Sequence, residues 1–283
     1  MKYIIFYNEC LRSKLIYFNF IRKNYKNIKC VIEIPINNTH NKFFLIKKGI
    51  LNNNAYSYIF YQLFQTIFYN IFSIIFSSNI RSICKKFNIS FKKIDKFPDK
   101  NKIKNVVKNY SEKDVIFIST TYILKHKDLM IKNVILNLHE ADPRKYRGSA
   151  IYYRLANDRK KYMKTVIMEP NLEIDGGRVV ASSNQKLIKN FSVFKILLMG
   201  YITQSKLLEK ITNTNIKKKY PKIKNRRTSV IHSFPSRKLE IELKKKKIKI
   251  INLKDYLFIV YLSIIRDISK LYSKINVYIN KWN

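Results

Sequence analysis

The sequence predicts an α/β fold: a mostly parallel sheet with helices on both faces. Three observations carry this. Short runs of Ile, Val, Phe and Tyr recur along the first 140 residues without polar alternation, as in strands covered on both sides. Longer stretches with helical spacing separate them. Proline and small polar clusters punctuate the changes from one to the other.

The elements follow in order. Lys2–Tyr7 is apolar and reads as the first strand, and Leu11–Asn24 as the helix after it. Ile28–Ile36 is a second strand, closed by Pro35 and the polar cluster Asn37–Asn41. Residues 56–87 read as one long helix. Phe91–Ile94 is a short strand before Pro98, Lys102–Tyr110 has helical character, and Asp114–Ser119 (DVIFIS) is a buried strand. Thr121–Met130 reads as a short helix and Val134–His139 as the next strand. TVIMEP, at 165–170, is a strand ahead of Asp175. Alternation of this kind is Rossmann-like, and ligands of such sheets sit beyond the carboxyl ends of strands. His139 stands at such an end. The rest reads as a short, mainly helical tail: a helix at Ser192–Ile211, a basic linker at Lys217–Arg227, a strand-like KKKKIKIIN at 244–252 and a final helix. The helical stripe Leu257, Tyr261, Ile264, Ile268, Leu271 and Ile275 in that last helix is the usual pattern of a packing face. Division near 190 gives a catalytic domain at 1–190 and a helical, basic extension at 191–283.

Composition narrows the function classes. At 283 residues and 46% hydrophobic content the chain can bury a substantial core, which excludes a disordered protein. The formal net charge is +39. Such a balance suits nucleic acid, anionic lipid or a polyanionic substrate. The basic residues are nevertheless spread along the whole chain. Abundant Lys, Asn, Ile, Tyr and Phe are also what an A+T-rich coding sequence favours, so the charge by itself names no partner. Cys10, Cys30 and Cys84 lie far apart with no CxxC spacing, which argues against a disulfide framework or a zinc site and fits a reducing compartment. The opening MKYIIFYNE is too short for a signal peptide, so the expected location is cytoplasmic.

The charge-free run from Gly49 to Ile80 is long enough to cross a bilayer. Gln62, Gln65 and Asn70 argue against a lipid-facing span. Topology argues harder, because the run lies between two strands needed on one side of any membrane. A helix with an oily face is expected, with peripheral membrane contact through 56–78 as its alternative use.

The chemistry concentrates in 137–177. Three of the five glycines and six of the eighteen acidic residues lie between positions 140 and 177. Asn137 and His139 alternate on a strand, so both side chains point to one side. An amide and an imidazole together can hold a carbonyl oxygen that gains negative charge, and the imidazole can pass a proton. Asp175 sits in a turn-forming IDGG, where paired glycines let the backbone bend tightly. Asn, His and Asp make a plausible acyl-transfer set; on spacing alone, a turn and a satisfied histidine is the more frequent explanation.

NLHEADPRKYRGS (137–149) and EIDGGRVV (173–180) resemble the formyltransferases that use 10-formyltetrahydrofolate. Members carry Asn-x-His, a loop ending in aromatic-Arg-Gly, and Asp-x-Gly after a strand. Here these are Asn137-Leu138-His139, Tyr146-Arg147-Gly148 and Asp175-Gly176-Gly177. DVIFISTTYILKHKDLM is similar to the family's strand and following turn, and SVIHSFPSRK to a Phe-Pro stretch of shorter members. Where many members have Ser-Leu-Leu-Pro, this chain has Ala141-Asp142-Pro143-Arg144, and Met163 and Lys164 replace a glycine common in the family.

The resemblance implies a catalytic set of Asn137, His139 and Asp175. The first two would stabilise the oxyanion; Asp175 would orient His139 and help deprotonate the amine. It further implies a folate site drawn from Thr121, Tyr122, Leu124, Arg147, Gly148 and Ile174, with Arg147 and Gly148 shaping their loop, and no metal. The acceptor is expected to be a primary amine, by elimination that of a nucleotide-linked amino sugar. The 108 residues after Asp175 offer no run of strands for a tRNA-binding barrel, and Tyr7–Ser13 lacks a glycine-rich phosphate loop. Arg144, Lys145 and Arg178 are candidate diphosphate contacts. The alternatives are a methionyl-tRNA formyltransferase-like enzyme, and a decayed member that binds nucleic acid or a membrane surface. No oligomeric state follows.

Overall fold

The computed structural model describes residues 2–34, 55–94, 107–119, 133–143, 145–148, 150–157, 162–170, 175, 177–186, 191–212, 231–232, 235–267 and 277–280. Its centre is an eight-stranded sheet. The strands are β1 (Tyr3–Tyr7), β2 (Ile28–Glu33), β3 (Ser90–Lys93), β4 (Val115–Ser119), β5 (Ile135–His139), β7 (Tyr162–Pro170), β8 (Gly177–Lys186) and β10 (Val277–Asn280). Their order is β10-β8-β7-β5-β4-β1-β2-β3. The five strands from β3 to β5 run parallel, and β7, β8 and β10 add antiparallel pairings at one edge. The order reverses at β1, which pairs with β2 on one side and β4 on the other. That reversal opens a crevice at the carboxyl ends of the strands. Separately, β6 (Arg147–Gly148) and β9 (Ile231–His232) form a two-stranded parallel ladder.

Strand alternation divides the interior into two cores. Tyr3, Ile5, Tyr7, Phe117, Leu136 and Leu138 face one side, where the larger core lies. Ile4, Phe6, Ile116, Ile118 and Ile135 face the other. Because side chains alternate along a strand, Asn137 and His139 belong to the second side, with Ile135.

The first side is covered by α1 (Leu11–Asn24), α2 (Tyr56–Ile75), α3 (Ile80–Lys86), α4 (Ala150–Asn157), α5 (Val193–Thr212) and α7 (Leu253–Ile264), all contributing to its core. A further helix, α6 (Arg237–Lys245), packs against α4 and adds Leu239 and Leu243 to the same core. α1 lies beneath the others, so even its polar Ser13, Lys14 and Asn19 are buried. Lys14 Nζ donates to Ser78 Oγ at 3.0 Å and to the Ser263 carbonyl at 2.5 Å, tying α1 to the ends of α2 and α7. Glu9, just before α1, accepts hydrogen bonds from the hydroxyls of Tyr7 and Tyr69. α5 stacks Phe194 on Tyr61 of α2, and β10 pairs with β8, so chain beyond 190 shares the core and the sheet of the preceding part.

Three expectations change. The single helix at 56–87 is two helices: Ser77 adopts φ +45°, and Asn79 caps α3 by accepting the Ser82 N–H at 2.8 Å. KKKKIKIIN is not a strand. Ser236 caps α6, Lys244 and Lys245 close its last turn, and a turn follows with Lys247 at φ +58°. In α7, Leu257 and Tyr261 are exposed, 70% and 45%, although their stripe was expected to pack. The expected elements at 121–130, most of 102–110, the linker 217–227 and the stripe beyond 267 lie outside the described residues. The strands β8 and β10 and the helix α4 were not anticipated.

Candidate active site

β5 positions two of the expected catalytic side chains. It sits inside the sheet between β4 and β7, with Asn137 opposite Ile118 and Met168, and His139 opposite Val166. Pairing on both sides fixes the backbone, so the two side chains leave it in a defined direction. His139 is 4% exposed at the strand's end, and Asn137 is half-buried. Among the described residues no hydrogen bond engages the Asn137 amide.

Asp175 stands in the turn between β7 and β8. Its φ is +46°, a region that costs most residues energy. Gly177 follows at φ +123°, where a side chain would collide with the Glu169 carbonyl. The turn thereby aims the Asp175 carboxylate back at β5. Oδ2 accepts the Gly148 N–H at 2.7 Å, and Oδ1 lies 3.8 Å from His139 Nδ1. One oxygen thus anchors the carboxylate while the other faces the imidazole. The second distance exceeds a hydrogen bond; catalytic contacts of this type commonly tighten once substrate is bound.

The loop 140–148 completes the surroundings. The Tyr146 carbonyl lies 3.4 Å from His139 Nε2, and Glu140 Oε2 lies 3.9 Å from Nδ1. Nε2 therefore has an acceptor oxygen within hydrogen-bond reach, and Nδ1 faces two carboxylate oxygens just beyond it. Glu140 is held in turn by Arg12, at 3.2 Å, and Arg12 also donates to the Leu138 carbonyl at 3.2 Å. Burial pulls the Arg12 guanidinium's pKa down, but Glu140 beside it reverses the effect and holds it above its ordinary value. The guanidinium stacks over Tyr201 at 5.5 Å. Arg12 begins the helix after β1, so this clamp joins the switch point of the sheet to the end of β5.

The structure therefore brings Asn137, His139 and Asp175 to one place. Gly148 contributes its backbone N–H to Asp175 and adopts φ +72°. Arg147 is buried and donates to the Pro143 carbonyl at 3.4 Å, pinning the loop from inside. Arg178 pairs with Glu169 at 2.5 Å, and Lys145 is exposed. Thr121, Tyr122, Leu124, Arg144 and Ile174 lie outside the described residues. Sequence reasoning missed Arg12, Glu140 and the Tyr146 carbonyl as neighbours of the histidine. Glu140 belonged to the acidic cluster already noted, but only folding shows that Arg12, 128 positions earlier, meets it.

No family model and no curated protein sequence matches the chain. Solved structures do match its fold. A sugar 3N-formyl transferase, WlaRD, determined in the presence of dTDP and 5-N-formyl-THF, superposes with a TM-score of 0.52 at 15% identity, over 96% of this chain and 81% of that one. A sugar N-formyltransferase from Shewanella sp FDAARGOS_354 gives 0.51 at 14% identity, over 94% and 87%. A formyltetrahydrofolate deformylase from Pseudomonas syringae pv. tomato str. DC3000 gives 0.51 at 13% identity, over 80% and 64%. The fold is the one these formyl-handling enzymes share, and it agrees with the resemblance read from 137–180.

Proposed function

We propose that the chain transfers a formyl group from 10-formyltetrahydrofolate to the primary amine of a nucleotide-linked amino sugar. The observation that carries this is the convergence of Asn137, His139 and Asp175 beyond the end of β5, in a fold shared with formyltransferases. The two sugar N-formyltransferases named above support the acceptor class, and the folate ligand of one supports the donor class.

The residues fit the donor's chemistry. 10-Formyltetrahydrofolate supplies, when bound, a formyl carbon open to attack by an amine. The Asn137 amide N–H and the His139 ring hold the formyl oxygen as negative charge collects there. Asp175 Oδ1 faces the same space and accepts a proton from the attacking nitrogen as the new C–N bond forms. Its other oxygen stays on the Gly148 N–H, so the carboxylate keeps its aim while its charge changes. As the folate nitrogen leaves, His139 would be placed to supply its proton, and Asp175 Oδ1, facing His139 Nδ1, to return to the ring the proton taken from the amine.

The test is mass spectrometry of the purified chain with 10-formyltetrahydrofolate and a panel of amines. Gain of one formyl group by a nucleotide-linked amino sugar supports the reading. Gain only by initiator methionyl-tRNA replaces the acceptor. Release of formate with no amine formylated assigns a deformylase, in which water takes the amine's place.

A further inference from the structure

α2 and α7 pack side by side on α1, with Phe64 against Tyr256 at 4.3 Å and Arg266 donating to the Phe76 carbonyl at 2.8 Å. These contacts join early residues to early and late to late, so the helices run parallel. Each turns one face to the core: Tyr61, Tyr69 and Ser73 in α2, Ile259 and Leu262 in α7. The opposite faces point away from it. In α2 that face carries Tyr56, Phe60, Ile71 and Ile74, spaced by three, four or eleven residues and 48%, 62%, 49% and 69% exposed. In α7 it carries Leu253, Leu257 and Tyr261, with Leu253 81% exposed. No charged residue occurs anywhere in α2; at 100° per residue Gln62 and Gln65 turn towards its buried side, and Asn70 is the exposed polar residue beside Ile71. The most apolar 18-residue stretch within Tyr56–Lys86 has a mean hydropathy of 1.4, yet only 22% of that stretch is buried. Among the described residues nothing covers this surface.

Its rim is basic. The Arg237 guanidinium sits 4.1 Å over the Tyr56 ring, and Lys195 Nζ 5.5 Å from the Phe258 ring. Arg266 stands at the carboxyl end of the pair and Lys254 is exposed at its start. The acids nearby are engaged: Asp255 is buried in the capping box of α7, and Asp267 pairs with Arg22 at 3.1 Å.

We infer that the α2–α7 face lies on an anionic membrane surface, its apolar stripe in the headgroup boundary and its basic rim on lipid phosphates. Exposed apolar patches of this kind mark interaction sites, and an amphipathic face with basic flanks is the pattern of interfacial helices. Charge selects the occupant. A second copy would bring the same basic rim and a further +39, which repels. The helices do not span, because β2 before α2 and β3 after α3 are hydrogen-bonded neighbours in one sheet. By strand alternation Asn137 and His139 lie with Ile135 on the opposite side of that sheet, so membrane contact does not cover them.

Vesicle flotation of the full chain tests this. Expected is partitioning onto phosphatidylcholine vesicles containing phosphatidylserine, and loss of most of it on phosphatidylcholine alone. The triple variant Ile71→Gln, Ile74→Gln, Leu257→Gln should partition at least about tenfold less. Undiminished binding by a folded triple variant would mean that charge alone holds the protein, and would overturn the proposal. So would an absence of binding, or a solution dimer that the same substitutions dissociate. Should the triple variant not fold, a fluorophore on Leu257→Cys should blue-shift with vesicles while one on Lys113→Cys does not; equal responses would overturn it too.

Discussion

A methyl group placed on Gly177 would lie 2.0 Å from the Glu169 carbonyl oxygen, and at φ +123° no L residue is comfortable. Gly177→Ala must therefore push β7 and β8 apart beside Asp175. The expected loss of stability is about 2–4 kcal/mol, read by urea denaturation. An unchanged midpoint would show that the turn relaxes freely. The side chains proposed for catalysis make a different kind of prediction, since neither belongs to a hydrophobic core cluster. His139→Ala or Asp175→Ala should lower formyl-transfer turnover by about two to four powers of ten with little change in melting temperature. Turnover near that of the parent in both variants would remove Asn137, His139 and Asp175 from the chemistry.

Elements are held together here by buried polar residues as well as by apolar contact. Burial lowers the Lys14 pKa from its ordinary 10.5 to about 7, with Glu9 opposing the shift and Arg266 adding to it. The unfolded chain keeps this proton up to about pH 10.5, whereas the folded chain releases it near 7. Between these values the unfolded state binds more protons, so stability rises with pH across the window and is least below pH 7. The full effect is roughly 5 kcal/mol. Burial also raises the Cys84 thiol to about 12, which acts in the opposite direction above its ordinary value of 9.0. Comparison of the parent with Lys14→Met isolates the lysine. The variant should lose the rise between about pH 7 and 9, measured as the urea midpoint at each pH. Parallel curves for the two proteins would refute the assignment.

On the scale of the whole molecule, 57 basic residues face only 18 acidic ones. Ion pairs such as Lys29–Asp114 at 2.7 Å and Arg22–Asp267 at 3.1 Å engage some of them. The excess repels itself within a compact body, and salt screens that repulsion over a Debye length of about 8–10 Å. Raising sodium chloride from about 20 to 500 mM should therefore raise the melting temperature by several degrees, roughly. A melting temperature that falls with salt would mean that attractive pairs outweigh the repulsion.

Much of this was legible in the chain itself, for a local reason. β1, β4 and β5 are short apolar runs bounded by polar residues, so their existence follows from periodicity, and α1 was read with the boundaries it has. The Asn-x-His pair was readable because strand alternation alone puts both side chains on one face. Other features depend on partners distant in sequence. The break between α2 and α3 rests on a two-residue turn and an asparagine cap, which a long charge-free run conceals. β8 carries Ser182, Ser183, Asn184 and Gln185 and does not look like a strand, and β10 is only four residues long; pairing with β7 and with each other decides the matter. The exposure of Leu257 and Tyr261 could not be read either, since helical spacing shows that a stripe exists but not what lies against it. The sequence by itself determined the strand-and-helix alternation of the first 140 residues and the placing of Asn137 and His139 on one face of a strand. Only the tertiary structure set Asp175 beside His139, joined Arg12 to Glu140 and left the α2–α7 face uncovered, because each depends on chain segments brought together by sheet order rather than by neighbourhood along the chain.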